Sequence, residues 1–247
     1  MKQTSFFLLL CIVLGSCFAP KQASQTKQTF TFDYTPKENS KAGSAGMVVA
    51  FVRPYYADEF ASTGSGELFK SFQDAIGNDV EELIIAKGYT MKGPYQSFDE
   101  MVFEDKKTTE MLIQIEIAPR FTAQEGSWKT HISLLGPAYY TYSYSGKASL
   151  VGKINISGVE PLTNQKIWSK SVLIPNVENI SIETSNKYKR PLDGFELVSD
   201  PGVYNVLGKA LMQQYSGIMD KIFAHFNVDE FKTLKGQIKE LKAMKGY

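Results

Sequence analysis

From Asp200 onward the apolar residues of this chain fall on one helical stripe, with Val203, Leu207, Leu211, Tyr215, Ile218, Ile222 and Phe226 recurring every third or fourth place. Asp200 is placed to cap that helix and Pro201 to begin it, because the first N–H groups of a helix have no intrahelical acceptor and proline has none to lose. A helix this long with a single apolar face needs another layer to bury it against. The residues before it must supply that layer.

They do so by alternation, the period of a half-buried strand. Met111, Ile113, Ile115 and Ile117 alternate with Leu112, Gln114 and Glu116, and Trp128, Thr130, Ile132 and Leu134 alternate with Lys129, His131 and Ser133. Phe30, Phe32 and Tyr34 give the same pattern near the start. Residues 47–52 form a continuous apolar run closed by Arg53-Pro54, which reads as a buried central strand. Between them and a return strand over residues 89–95, Leu68, Phe72, Ile76, Val80 and Ile84 mark a helix capped by Ser65 and stopped by Gly88. Residues 150–156 and 166–174, separated by the turn-rich stretch 160–165, read as a hairpin. A last helix from about Asp229 carries Phe231, Leu234, Ile238 and Leu241 among five lysines. The expected fold is α+β: a strand-helix-strand opening followed by an antiparallel meander, with a long amphipathic helix packed on the sheet. One domain is expected over residues 30–227, followed by a basic amphipathic helix over 228–247.

The N-terminus constrains location. Lys2 precedes an apolar run from Phe6 to Leu14, then Gly15, Ser16 and Cys17. The run is too short to span a bilayer, which needs about 20 apolar residues, and reads as a signal peptide over residues 1–16. Leu14-Gly15-Ser16-Cys17 is a lipobox, so Cys17 is the expected lipid attachment site and residues 18–29, polar throughout apart from Phe18 and a few small residues, a flexible tether. Phe18 in place of Asp after the cysteine favours the outer membrane under the enterobacterial sorting rule. Which face of that membrane the protein occupies stays open.

Composition narrows the function classes. Cleavage removes only Lys2 among the charges, so 27 Lys and Arg fall to match 26 Asp and Glu, and nothing suggests nucleic acid. Cys11 leaves with the signal peptide and Cys17 carries lipid, so the fold must rely on its core rather than on disulfides. The two histidines, His131 and His225, lack a second ligand at metal spacing, and no nucleophile elbow or phosphate loop is present. No enzyme activity, cofactor or metal is therefore expected. Binding surfaces are easier to find. Tyr139, Tyr140, Tyr142 and Tyr144 offer rings for stacking on sugars, although tyrosine is also a good strand residue and half of them are expected to face the core. Lys187, Lys189 and Arg190 flank Tyr188 in a loop, and the arginine fork suits a sugar carboxylate, although a solvated charge run looks the same. The lysine-rich last helix suits anionic lipid or a partner's groove, or else docks on its own domain.

The lipobox, Phe32-Asp33-Tyr34-Thr35-Pro36-Lys37-Glu38, Val52-Arg53-Pro54, Lys87-Gly88-Tyr89, Val159-Glu160-Pro161, Lys221-Ile222-Phe223-Ala224 and Lys239-Glu240-Leu241-Lys242 occur in an order that resembles the neuraminyllactose-binding haemagglutinin (HpaA) lipoprotein family. The resemblance implies an envelope lipoprotein, described in that family as an adhesin for sialylated glycans through a short basic motif. The corresponding stretch here, residues 118–125, retains Arg120 and lacks the lysine cluster. The implied partners are the membrane, through the N-terminal lipid, and either a sialylated glycan or, for a protein facing the periplasm, another envelope component that it helps to assemble.

Overall fold

The computed structural model describes residues 25–60, 66–133, 139–244 and 246. Six strands form one sheet: β1 (Val48–Val52), β2 (Tyr55–Tyr56), β3 (Thr90–Tyr95), β4 (Met111–Ser133), β5 (Tyr139–Glu160) and β6 (Gln165–Glu183), in the order β3-β1-β4-β5-β6 with β2 beside β4. β1 lies parallel to β3 and to β4, while β4, β5 and β6 run antiparallel as a meander. The strand-helix-strand opening is completed by α1 (Glu67–Ala86), and a short helix, α2 (Phe103–Thr108), leads into β4. Its N-cap is Gly66, and the expected cap Ser65 lies outside the described residues. Gly88 ends it as expected, at φ 81°, with the Tyr89 N–H returned to the Ile84 carbonyl and the Gly88 N–H to that of Ile85.

Two strand expectations are corrected. Phe30, Phe32 and Tyr34 belong to no ladder. Their segment instead runs extended in a groove between α1 and α4 (Pro201–His225), where Phe32 packs edge-on against Phe72 and beside Tyr215, and the Tyr34 hydroxyl donates to Asp220. Alternation reports one buried and one wet side, which a groove between helices provides as well as a sheet does. The stretches around Met111 and Trp128 are not two strands but one, β4, which continues through Pro119. β2 has ended by then, opposite Ile117, so β4 is an edge strand there, the setting in which proline is tolerated. Residues 150–156 and 166–174 are likewise parts of the longer β5 and β6. Their turn is held by buried Glu160, which accepts from the Leu162 and Thr163 N–H groups and the Thr163 hydroxyl.

α4 and α1 cover one face of the sheet, and the Asp200 cap and Pro201 start stand as the sequence predicts. The last helix, α5 (Val228–Met244), crosses the end of the sheet where β4 begins and β5 ends. It buries Phe231 and Ile238, the former against Trp168, Tyr89 and Phe226. Two of its lysines face the fold as well: Lys235 pairs with Glu110 at 2.8 Å, and Lys242 donates to the carbonyls of Lys107 and Thr109.

The opposite end of the sheet, where β4 and β6 finish, is the upper end, and β1 stops well short of it, beside the first residues of β4. α1 and α4 both start there, and so does the described chain. Gln28 donates its N–H to the Asn205 side chain at 2.8 Å, Asn205 donates to the Thr26 carbonyl, and Lys27 pairs with Glu67 at 2.9 Å. Residues 25–29, expected to be part of a tether, therefore lie on the fold.

Candidate ligand-binding cleft

β6 ends at Glu183, opposite Ser145, but the chain keeps to the side of β5 for several residues more. The Thr184 N–H donates to the Tyr144 carbonyl, and Tyr142 and Tyr188 exchange both backbone hydrogen bonds, at 2.7 and 2.8 Å. It then turns at Pro191 into a short helix, α3 (Gly194–Ser199), whose start is a capping box: Asp193 accepts from the Glu196 N–H while Glu196 accepts from that of Asp193. Asp200 follows immediately as the cap of α4. This return encloses an open cleft of about 560 Å³ lined by Tyr188, Lys189, Arg190, Leu192, Glu196, Ser199 and Asp200.

The groups in the cleft divide into committed and available ones. Asp200 is fully buried and accepts from the N–H groups of Ser185, Gly202 and Val203, the Ser185 hydroxyl, and the Tyr188 hydroxyl at 2.6 Å. Such a carboxylate has its lone pairs filled and serves the backbone. Burial, and then the bond to Asp200, pushes the Tyr188 phenol up to about 12, so it stays a donor at neutral pH. Arg190 and Glu196 form a two-pronged pair, at 2.7 and 2.5 Å, that holds the Glu196 carboxyl below its usual range and lifts the guanidinium. Lys187 and Lys189 are exposed and, among the described residues, held by no carboxylate. Lys189 is thus the cation of the lining left available and the wall carries a fixed aromatic ring, an arrangement that suits a hydroxylated anion.

The structure gathers most of the residues singled out in the sequence. Tyr142 is joined to Tyr188 by the backbone bridge, and Tyr140 lies on the same face of β5 two residues further up, opposite Ile132. Lys187, Lys189 and Arg190 stand next to them. Tyr144, from the same face, is buried and packs on Trp128, so part of the tyrosine run does serve the core. Arg120 is elsewhere. It pairs with Val151 on the sheet face opposite to the helices, about 30 Å down the strand from Thr130, which is opposite Tyr142. Cys17 lies outside the described residues. The contribution of Tyr188 and Asp200 to one cleft is not evident from sequence, and the short helix that closes it is absent from the sequence reading; Asp193 and Glu196 at capping-box spacing are the signal that could have found it.

Among the described residues no group of three His, Cys, Asp or Glu side chains could hold a metal ion, and no helix is long and apolar enough to cross a membrane. His131 hydrogen-bonds Ser143 across the ribbon at 2.8 Å, and burial lowers the pKa of His225.

No protein-family model matches the sequence, and no curated protein matches it. Among solved structures, a neuraminyllactose-binding hemagglutinin homolog from Helicobacter pylori superposes with a TM-score of 0.57, over 86% of this chain and 100% of that one, at 12% identity. The chain shares that protein's fold. A protein from Xanthomonas campestris (TM-score 0.36, 8% identity, 88% of this chain and 97% of that one) and a lipoprotein from Neisseria meningitidis (0.28, 10%, 65% and 98%) are more distant, and nothing is inferred from them.

Proposed function

We propose that this protein is a lipid-anchored envelope lipoprotein of the outer membrane that works by binding rather than by catalysis, and that its ligand is an acidic saccharide held in the cleft lined by Tyr188, Lys189 and Arg190. The observation that carries the reading is the pairing of an unengaged cation in the lining, Lys189, and Lys187 two residues before it, with aromatic rings at Tyr188 and, across the backbone bridge, Tyr142 beside an open cavity. Sugar carboxylates are met by ammonium groups and sugar faces by rings. The cleft's own carboxylates are occupied by the α4 cap and by Arg190, which leaves no poised acid-base pair there. Cys17 is the proposed attachment point. The fold likeness to a protein described as a homolog of a neuraminyllactose-binding hemagglutinin makes sialylated sugars the first class to test.

A second reading, in which the saccharide belongs to another component of the protein's own envelope, is favoured by one observation. The chain enters the fold at the upper end, the end that also holds the cleft. An array of sialylated, uronic-acid and neutral glycans discriminates. We expect retention of acidic sugars by the purified protein, loss in the Lys187→Ala/Lys189→Ala double variant, and no change in Arg120→Ala. Binding that survives the double variant but is lost in Arg120→Ala would move the site to the opposite face of the sheet.

A further inference from the structure

β4 and β5 continue as a ribbon past the level of Ser127, Ser145 and Glu183, where β6 and the start of α4 lie. Ile132, Tyr139 and Tyr140 near its end are 56–58% exposed. Tyr140 is opposite Ile132 and Tyr139 opposite Ser133, so large apolar groups stand on both faces of the ribbon. The sequence carries no Asp, Glu, Lys or Arg between Lys129 and Lys147. A groove in a partner protein would cover one face; an apolar medium covers both. Tyrosine, with an apolar ring and a polar tip, prefers the boundary between lipid and water.

The chain's entry point fixes the distance to that medium. Thr26 is tied to Asn205, in the first turns of α4, which places it about 24 Å below Ile132 and Tyr140 along the ribbon. Gln25 lies eight Cα–Cα steps along the chain from Cys17. Any chain of that length spans at most about 26–29 Å, and as a coil about 15 Å. With the ribbon turned toward the bilayer, a lipid on Cys17 holds the upper end close enough for the ribbon to touch the surface or to enter it by several Å, the depth at which interfacial segments sit.

We infer that the end of the β4–β5 ribbon is a second membrane contact, in which Ile132, Tyr139 and Tyr140 enter the interfacial layer of the bilayer that holds the anchor. The inference rests on the proposed lipid at Cys17 for its geometry. The test uses the protein purified from membranes and reconstituted into phosphatidylethanolamine–phosphatidylglycerol vesicles, with an environment-sensitive fluorophore at Tyr140→Cys or, at the far end of the sheet, at Lys166→Cys. The label at position 140 is expected to shift to the blue and to be quenched by lipids brominated near the headgroup, and that at 166 to do neither. In the Ile132→Ser/Tyr139→Ser/Tyr140→Ser variant without acyl groups, partitioning onto the same vesicles should fall about tenfold from that of the otherwise identical chain. The mass of the N-terminal peptide reads the anchor separately. A chain without acyl mass defeats the anchored reading, and an acylated chain whose position-140 label stays in water overturns the ribbon contact.

Discussion

Asp200 joins three tasks in one carboxylate: it caps α4, receives the Ser185 backbone, and fixes Tyr188 in the cleft wall. Removing one donor leaves a buried acceptor less well satisfied. Tyr188→Phe should therefore lower stability by about 1–3 kcal/mol, read from urea unfolding, while the ring remains in place. Asp79 shows the opposite situation, a carboxyl group whose surroundings hold its proton on. It is almost fully buried in α1, where it accepts from the Tyr215 hydroxyl, and burial is the main reason its pKa rises to about 6, with Asp33 and Glu82 adding to it. The folded chain thus holds a proton that the unfolded chain has released. The stability from this group is complete below about pH 4 and is lost as the pH rises through about 6, on the order of 2 kcal/mol. Asp79→Asn should abolish that component of the pH dependence in thermal or denaturant unfolding between pH 4 and 7.

Among the elements, the extended segment over residues 25–40 couples the N-terminus to both helices. Phe30 rests where Gly208 leaves room for its ring, and any Cβ at that position would run into it. Gly208→Ala should displace Phe30, cost about 1–3 kcal/mol, and speed proteolysis near residue 30. Phe231→Ala, which empties the pocket between Trp168, Tyr89 and Phe226, should cost about 3–5 kcal/mol and loosen α5 from the sheet. These elements differ in how readable they were. The α4 stripe, its Asp200-Pro201 start and the Gly88 stop follow from local chemistry, and the sequence shows them directly. The Phe30 to Tyr34 segment was misread as a strand because alternation records which side is buried and not what buries it. The unbroken course of β4 was hidden by Pro119, whose tolerance depends on where β2 ends, a fact of tertiary arrangement. The cleft was half legible. Its cations and rings were visible as residue types, but their meeting depends on the bridge between Tyr142 and Tyr188, residues far apart in sequence.

For the whole molecule, the arrangement is polar in the sense of having two unlike ends. At the lower end α5 closes the sheet, with Lys235 and Lys242 tied to the starts of β1 and β4, so these two lysines belong to the fold while Lys232 and Lys239 stay exposed. At the upper end lie the entry of the chain, the cleft and the protruding ribbon. The central claim is that this upper end binds acidic saccharide through the cleft. Chemical-shift mapping of the isotopically labelled protein with neuraminyllactose tests it most directly. The account predicts that the amides of residues 187–192 and of Tyr142 move together in a saturable way, with those around Arg120 unchanged. Shifts confined to the face around Arg120, or a spectrum unmoved at saturating sugar while an acidic glycan is still retained on an array, would contradict it.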